Sequence, residues 1–278
     1  MADLFNYLDY RKYLRDAFTN LKETRPAFSH RLFTRMAGFS SSNYMMLVMQ
    51  GKRNLSGEGI QKVAKALKFK KGETEFFENL IRFNQATSDT EKNFYYTRIS
   101  NNRRYAEARP LEKGQFEYYS KWYIPAIREM VLLKNFREDP QWIASKLKPQ
   151  IAPREAESAL KLLLDLNLLV RDETGKLVQK DGHITSGDEV RSLAVTNFQR
   201  EMIERAAASI EATPADRREI GSITFAVSKE KLSEAKKLIR EFRSKLSGFL
   251  AEDSDADAVY QFNVQLFNLS KGDEEENQ

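Results

Sequence analysis

Apolar residues at helical spacing fill the first third of this chain and restrict it to a bundle of short helices. Tyr10, Tyr13, Leu14, Ala17, Phe18 and Leu21 stand at i, i+3, i+4 and i+7, an amphipathic helix that ends near Pro26. "SHRLFTRMA" predicts a short second helix, with Ser29 as N-cap and Gly38 as its C-terminal stop. "GIQKVAKALKF" carries Ile60, Val63, Ala64 and Leu67 on one stripe, and "KGETEFFENLIRFNQA" turns Phe76, Phe77, Leu80, Ile81 and Phe83 inward. Between them lies "GFSSSNYMMLVMQGKRNLS", Gly38 to Ser56, a mostly apolar helix with serines before it and Lys52-Arg53 after it.

Charge placement narrows the function. The net charge of the 278 residues is only +5, but residues 1–110 hold 20 Lys/Arg against 11 Asp/Glu. Within residues 28–72 nine basic residues face the single acidic Glu58. A basic N-terminal module on a mildly acidic remainder is the electrostatic footprint of a nucleic-acid binder. With 41% apolar and 31% charged residues the chain reads as globular, and no apolar run approaches the ~18 residues of a membrane span. The early acidic residues of "MADLFNYLDYRKYL" and the lack of a small-residue cleavage site predict no signal peptide. Zero cysteines exclude disulfides and thiolate metal sites and fit a cytoplasmic protein.

The expected fold is mainly α, in five parts. Residues 1–84 form a helix-turn-helix DNA-binding bundle, and 85–138 a helical connector, polar until the aromatic helix "FEYYSKWYIPAIREMVLL". Its Phe116, Tyr118, Tyr119, Trp122 and Tyr123 suit a core better than a ligand cage. Residues 139–185 are winged-helix-like. Asp139 and Pro140 open one helix, Pro153 opens a second with Ala156, Ala159, Leu160, Leu163 and Leu164 inward, and a hairpin turning at Glu173-Thr174-Gly175 follows. Residues 186–270 combine a long helix from about Ser186 to Ala212 with a small α/β unit. In it the strands "IGSITFAVS" and "AVYQFNVQLFNLS" flank the helix "KEKLSEAKKLIREFRSKLSGFL", a parallel βαβ arrangement. Residues 271–278 are expected to be a disordered acidic tail.

The order helix, glycine turn, helix explains the stretch from Gly38 to Ser56. In a helix-turn-helix the second helix enters the major groove of DNA. Gly38 makes the turn, and Ser40 to Ser42 are expected to cap the second helix. Met45, Val48 and one of Tyr44 or Leu47 are its expected buried face, leaving Met46 and Met49 exposed. The candidate base contacts are Ser41, Ser42, Asn43, Met46 and Gln50, with Asn43 foremost because its amide can pair with adenine. The candidate phosphate contacts are Arg31, Arg35, Lys52 and Arg53.

Phe33, Ala37, Gly38, Phe39, Ser40, Gly51, Lys52, Arg53, Ala64 and Leu67 resemble the pattern of the lambda-repressor-like regulators over residues 28–69. The departures are Thr34 where alanine is usual, one extra residue between the two glycines, and no glutamate before Gly51-Lys52. Over nearly the whole chain, "FTRMAGFSSSNYMMLVMQGKRNLS", "YYSKWYIPAIREM", "DPQWIASKLKPQI" and "GDEVRSLAVTNFQREM" look like an uncharacterised bacterial family joining a helix-turn-helix to a long C-terminal domain of unknown function. The resemblance implies a transcriptional regulator.

An enzyme is not expected: there is no Gly-rich phosphate loop, no histidine pair and no Gly-x-Ser-x-Gly elbow, and no cofactor is called for. His30 reads as a helix-surface residue near DNA and His183 as a loop residue. The alternative to DNA binding is a protein-interaction module that keeps the fold, favoured by Met46 and Met49. The helix "PREAESALKLLLDLN" carries a net −1, so the winged-helix-like unit is assigned a structural or dimer-positioning role. Double-stranded DNA is the expected partner, with a small-molecule or protein effector at the C-terminal half. Two strands make no stable sheet alone, which predicts a homodimer built on Leu193, Phe198, Met202, Phe225, Phe262, Val264 and Leu266.

Overall fold

The computed structural model describes residues 2–180, 188–251, 253 and 255–271. His183, the expected helix start at Ser186 and the acidic tail after residue 271 lie outside the described residues. Among those described, the chain is mainly α, with thirteen α-helices and one two-stranded antiparallel sheet. It forms two compact units, one holding the described residues of 1–116 and 186–193, the other those of 117–185 and 194–278.

The first unit begins with α1 (Tyr10–Thr24), whose N-cap Asp9 accepts from the amides of Arg11 and Lys12. It continues through α2 (His30–Met36), α3 (Tyr44–Met49), α4 (Gly57–Ala66) and α5 (Lys71–Gln85). Tyr10, Tyr13, Leu14 and Ala17 of α1 are buried with Phe33, Met45, Val48, Ile60, Val63, Phe76, Phe77 and Leu80, as the 3.6-residue period requires. Three of these helices end in the same way. At the end of α2, Phe39 N–H donates to Thr34 O (3.1 Å) and Gly38 N–H to Arg35 O (3.0 Å). At the end of α3, Lys52 N–H donates to Leu47 O (2.9 Å) and Gly51 N–H to Val48 O (3.0 Å). These paired bonds are Schellman caps, which need a left-handed residue, and Gly38 and Gly51 sit at φ 72° and 79°. After α4 the same place is taken by Lys68 at φ 59°.

Helices also fill the stretch with no apolar stripe: α6 (Asp89–Ser100), α7 (Arg103–Ala108) and the first turns of α8 (Pro110–Ser120). Their few inward residues, Tyr96, Ile99, Tyr105 and Phe116, are buried in the first unit, where Tyr96 meets the rings of Phe83 and Phe116.

In the second unit the aromatic helix is two helices. α8 ends at Ser120 and α9 (Tyr123–Met130) starts afresh. Pro125 explains the break: it has no N–H, and its ring would collide with the carbonyl of residue 121 in a continuous helix. Helices α9, α10 (Pro140–Lys146) and α11 (Pro153–Asp165) and the hairpin of β1 (Leu169–Arg171) and β2 (Leu177–Gln179) share one core around Ile127, Ile143, Ala156, Leu163 and Leu169. Val170 lies opposite Val178 in the ladder, and the Asp172 carboxylate closes the turn by accepting from the amides of Thr174 and Lys176.

The long helix α12 (Asp188–Ala212) and the helix α13 (Lys229–Ala251) are both present. The two strands expected around α13 are not. Among the described residues no backbone–backbone hydrogen bond involves 219–227 or 258–269, although both run without helix or turn through Asn268. A parallel ladder needs cover on its faces, and here Ile223, Phe225, Tyr260 and Phe262 remain in solvent. The expected βαβ unit is therefore an exposed helix between two unpaired segments. No helix among the described residues is long and apolar enough to cross a membrane.

Candidate nucleic-acid interface

The stretch from Gly38 to Ser56 is folded by contacts that fix both ends of α3. Its inner face is Met45, Val48 and Met49, all buried. Met49 is thus a core residue, not an exposed one, while Tyr44, Met46 and Leu47 are half-buried. The serines do not cap the helix. Asn43 occupies the N-cap without a side-chain capping bond, and its Oδ1 instead accepts from Ser41 Oγ (2.9 Å). Ser41 contributes its carbonyl, which accepts from Tyr44 N–H (3.1 Å). The capping role falls to Thr34, fully buried on α2, whose hydroxyl accepts from Met45 N–H (3.4 Å). A free amide in the first turn of a helix must find an acceptor when buried. Thr34 supplies one from the neighbouring helix, which gives the threonine at this position a physical reason.

The exit from α3 is held more firmly. Arg15 Nη1 donates to the Met49 carbonyl (2.7 Å), placing a cation at the helix C-terminus, where the dipole favours it. Arg11 Nη2 donates to Asn54 Oδ1 (2.7 Å), and Tyr44 Oη to Asn54 O (2.8 Å). Gln85, the last residue of α5, makes a two-way bridge to Leu55: Oε1 accepts from Leu55 N–H (2.9 Å), and Nε2 donates to Leu55 O (3.0 Å). The same Oε1 accepts from Tyr10 Oη (3.0 Å). Asn84 does likewise one residue earlier, accepting from Tyr10 N–H (2.9 Å) and donating to Leu8 O (2.9 Å). Burial of the Tyr10 ring pushes its phenol up to about 12, so it stays a donor throughout the ordinary pH range.

These contacts put the candidate residues in two groups. Ser41, Ser42, Asn43 and Gln50 are exposed and Met46 is half-buried. Asn43, Met46 and Gln50 follow at i, i+3 and i+7 on the outward face of α3, opposite Met45, Val48 and Met49. Lys52 and Arg53 project from the anchored exit loop, and Arg31 and Arg35, one turn apart, from the outward face of α2. Among the described residues none of these four cations has a carboxylate partner, whereas Lys12, Arg15, Lys62 and Arg82 are paired with Asp16, Asp9, Glu58 and Glu78. Beside α3, residues including Phe39, Ser40, Ser41, Tyr44, Ser56 and Lys62 line an open depression of about 260 Å³. Lys62 lies 5.5 Å from the Phe39 ring centroid and 2.7 Å from Glu58.

His30, read as a helix-surface residue, is the first residue of α2 and is half-buried. Its ring stacks on Phe18 at 4.0 Å and 4°, and its Nδ1 is buried. Burial, with the Lys22 charge second, lowers its pKa below the usual 6.5. Of the candidate dimer residues, Leu193 and Met202 are buried within the chain and Phe198 packs edge-on against Tyr119 at 5.9 Å. Leu266 is half-buried, while Phe225, Phe262 and Val264 are exposed. Among the described residues no group of His, Asp and Glu is placed to hold a metal ion.

A model of a domain of unknown function, DUF4423, matches residues 102–269. The match begins beyond the residues that resemble the lambda-repressor-like pattern. No curated protein matches the chain, and no solved structure does.

Proposed function

The chain belongs to the DUF4423 family, and from that premise we propose that the bundle ahead of the family domain is a DNA-binding module of a transcriptional regulator. In this reading α2 and α3 are a lambda-repressor-like helix-turn-helix, and α3 enters the major groove. Asn43 and Gln50 meet base edges, and Arg31, Arg35, Lys52 and Arg53 meet phosphates on either side. The supporting observation is the outward face of α3, which carries uncharged amides between cations that have no carboxylate partner within the described residues. The helices α9 to α11 with the hairpin are winged-helix-like, and the acidic balance of α11 argues for a scaffold role there and not a second DNA reader. The regulator acts in the cytoplasm, and an effector would act through its C-terminal half.

The test is equilibrium binding to duplex DNA across a salt series. Each phosphate contact releases counterions, so log K falls with log salt by ~0.9 per contact. Neutralising Lys52 and Arg53 together to glutamine should weaken binding to every sequence and flatten that slope by about two units. Asn43→Ala should cost ~1–3 kcal/mol at one base position and spare non-specific binding. An unchanged slope in the double variant overturns the reading and favours a protein-interaction module, whose contact would centre on the half-buried Met46.

A further inference from the structure

Among the described residues, two segments of the second unit make no backbone–backbone hydrogen bond, and both lack charge. Residues 220–227, "IGSITFAV", and 258–269, "AVYQFNVQLFNL", contain no Asp, Glu, Lys or Arg in a chain where 31% of residues are charged. Exposed strand edges in monomeric proteins are guarded by charge, proline or bulges, because their free N–H and C=O groups invite another strand. Neither segment has such a guard beyond Gly221. Nor is the second segment loose. Lys134 holds its start through Nζ to Asp257 (2.6 Å) and through its own N–H to Ala256 O (3.1 Å). Asn263 Nδ2 donates to the Met202 carbonyl of α12 (2.8 Å), and Phe262 meets the Phe242 ring of α13 at 5.9 Å. The first segment follows a turn in which Arg218 Nε donates to Thr213 O (2.8 Å).

The area left open is large. No residue of α13 is buried. Phe225, Phe242, Phe249, Tyr260, Phe262 and Phe267, on α13 and its two flanking segments, are each about half exposed or more. At roughly 150–250 Å² per aromatic side chain, these six alone leave on the order of 700 Å² in water. That is close to the ~800 Å² a stable interface takes from each partner.

We propose that this surface is covered by a second copy of the chain, with the segments 220–227 and 258–269 pairing as β-strands with the same segments of the partner. A second copy is the favoured occupant because it brings what the surface lacks: uncharged backbone of matching length with free N–H and C=O groups, and an equal apolar area. A closed two-fold arrangement lets the same patch serve both sides. The strand alternation of the sequence is then real, but its ladder lies between chains and not within one. Leu193 and Met202, buried within the chain, take no part; Ile223, Tyr260, Phe267 and Leu269, from 71% to 84% exposed, stand at the centre. The inference does not rest on DNA binding and is tested without it.

Sedimentation of the full chain at micromolar concentration should give twice the 32.2 kDa of one copy. Ile223→Lys and Phe267→Lys alter side chains that are 84% and 71% exposed in the single chain, so each variant should keep its helical circular dichroism and run as a monomer. Hydrogen exchange on the unaltered protein provides a second readout. Amides of 220–227 and 258–269 should exchange about a hundredfold more slowly at a hundred times the dissociation constant than in dilute protein. A monomeric mass with fast exchange at every concentration overturns the proposal. So does a dimer that survives both lysines and leaves those amides unprotected, or a different co-purifying protein that protects them.

Discussion

Replacing Gln85 by alanine should be among the most damaging single changes to the first unit, although it removes no apolar group. The side chain makes three hydrogen bonds: with Leu55 N–H, Leu55 O and Tyr10 Oη, at 2.9, 3.0 and 3.0 Å. Tyr10 and Leu55 are 0% and 3% exposed, so water cannot easily replace the lost partners. At a net ~1 kcal/mol per bond the loss is ~3 kcal/mol, and it rises toward ~5 kcal/mol where buried groups stay unsatisfied. Calorimetry of the full chain should show the first unit's transition falling by roughly 12 °C or more, at ~4 °C per kcal/mol. Two comparisons separate the bridge from general disturbance. Tyr10→Phe deletes one bond and should cost ~1 kcal/mol. Gln85→Glu keeps the acceptor oxygen but loses the donor, and should fall between the two. The loop carrying Lys52 and Arg53 is anchored through Leu55, so its amides should exchange faster in Gln85→Ala. If Gln85→Ala costs no more than Tyr10→Phe, the bridge is not what holds the exit of α3.

Thr34→Val keeps the shape of the side chain and removes the acceptor for Met45 N–H. Because that bond is long at 3.4 Å, the expected loss is ~1 kcal/mol, read as a lower urea midpoint at unchanged m-value; no loss would refute the capping role. His30 has its pKa lowered below 6.5 by burial, so the unfolded chain takes up its proton more readily. Its contribution to stability is therefore complete above pH 6.5 and lost as the pH falls from there through the lowered folded value. Thermal midpoints between about pH 7.5 and 5.5 should fall in the native protein and fall less in His30→Phe, which keeps the stack on Phe18; equal slopes would remove His30 as the cause.

Helix positions in the first unit were legible where an apolar stripe ends at a marker of known chemistry. Ser29 and Gly38 cap α2 as their residue types predict, since an N-cap oxygen and a left-handed C-terminal residue are local requirements. The break at Ser120 is missed by the sequence reading, which runs one helix through the aromatic stretch, although Pro125 is a local signal for it. Gln85 was not legible. Its partners lie 30 and 75 residues away and two of the three contacts are with backbone, so nothing in "NQATSD" distinguishes a polar connector from the keystone of a bundle. Thr34 was visible as an oddity, and a hydroxyl at a core position between two helices is the signal that could have identified an acceptor. On α3, Met49 was expected outside with Met46, but it follows Met45 by four residues and so lies on the same inward face. At the C-terminal end, alternation predicted two strands that the described structure does not form, because a ladder is a property of two segments and depends on what is there to pair with.

The uncharged segment at 220–227 has a further consequence while the chain is being made. Synthesis runs at ~5–20 residues per second, and domains condense in the order they emerge. The segment therefore leaves the ribosome some two to eight seconds before 258–269 and before its own chain has any second strand to offer. Through that interval it is an apolar, β-prone stretch with no gatekeeping charge inside it, the profile of an aggregation hazard. The charges that do protect it lie outside, in Arg217, Arg218 and Glu219 before it and in Lys229, Glu230 and Lys231 after it. Their placement leaves the segment itself free to pair once the chain is complete, while the charged borders keep both of its ends solvated.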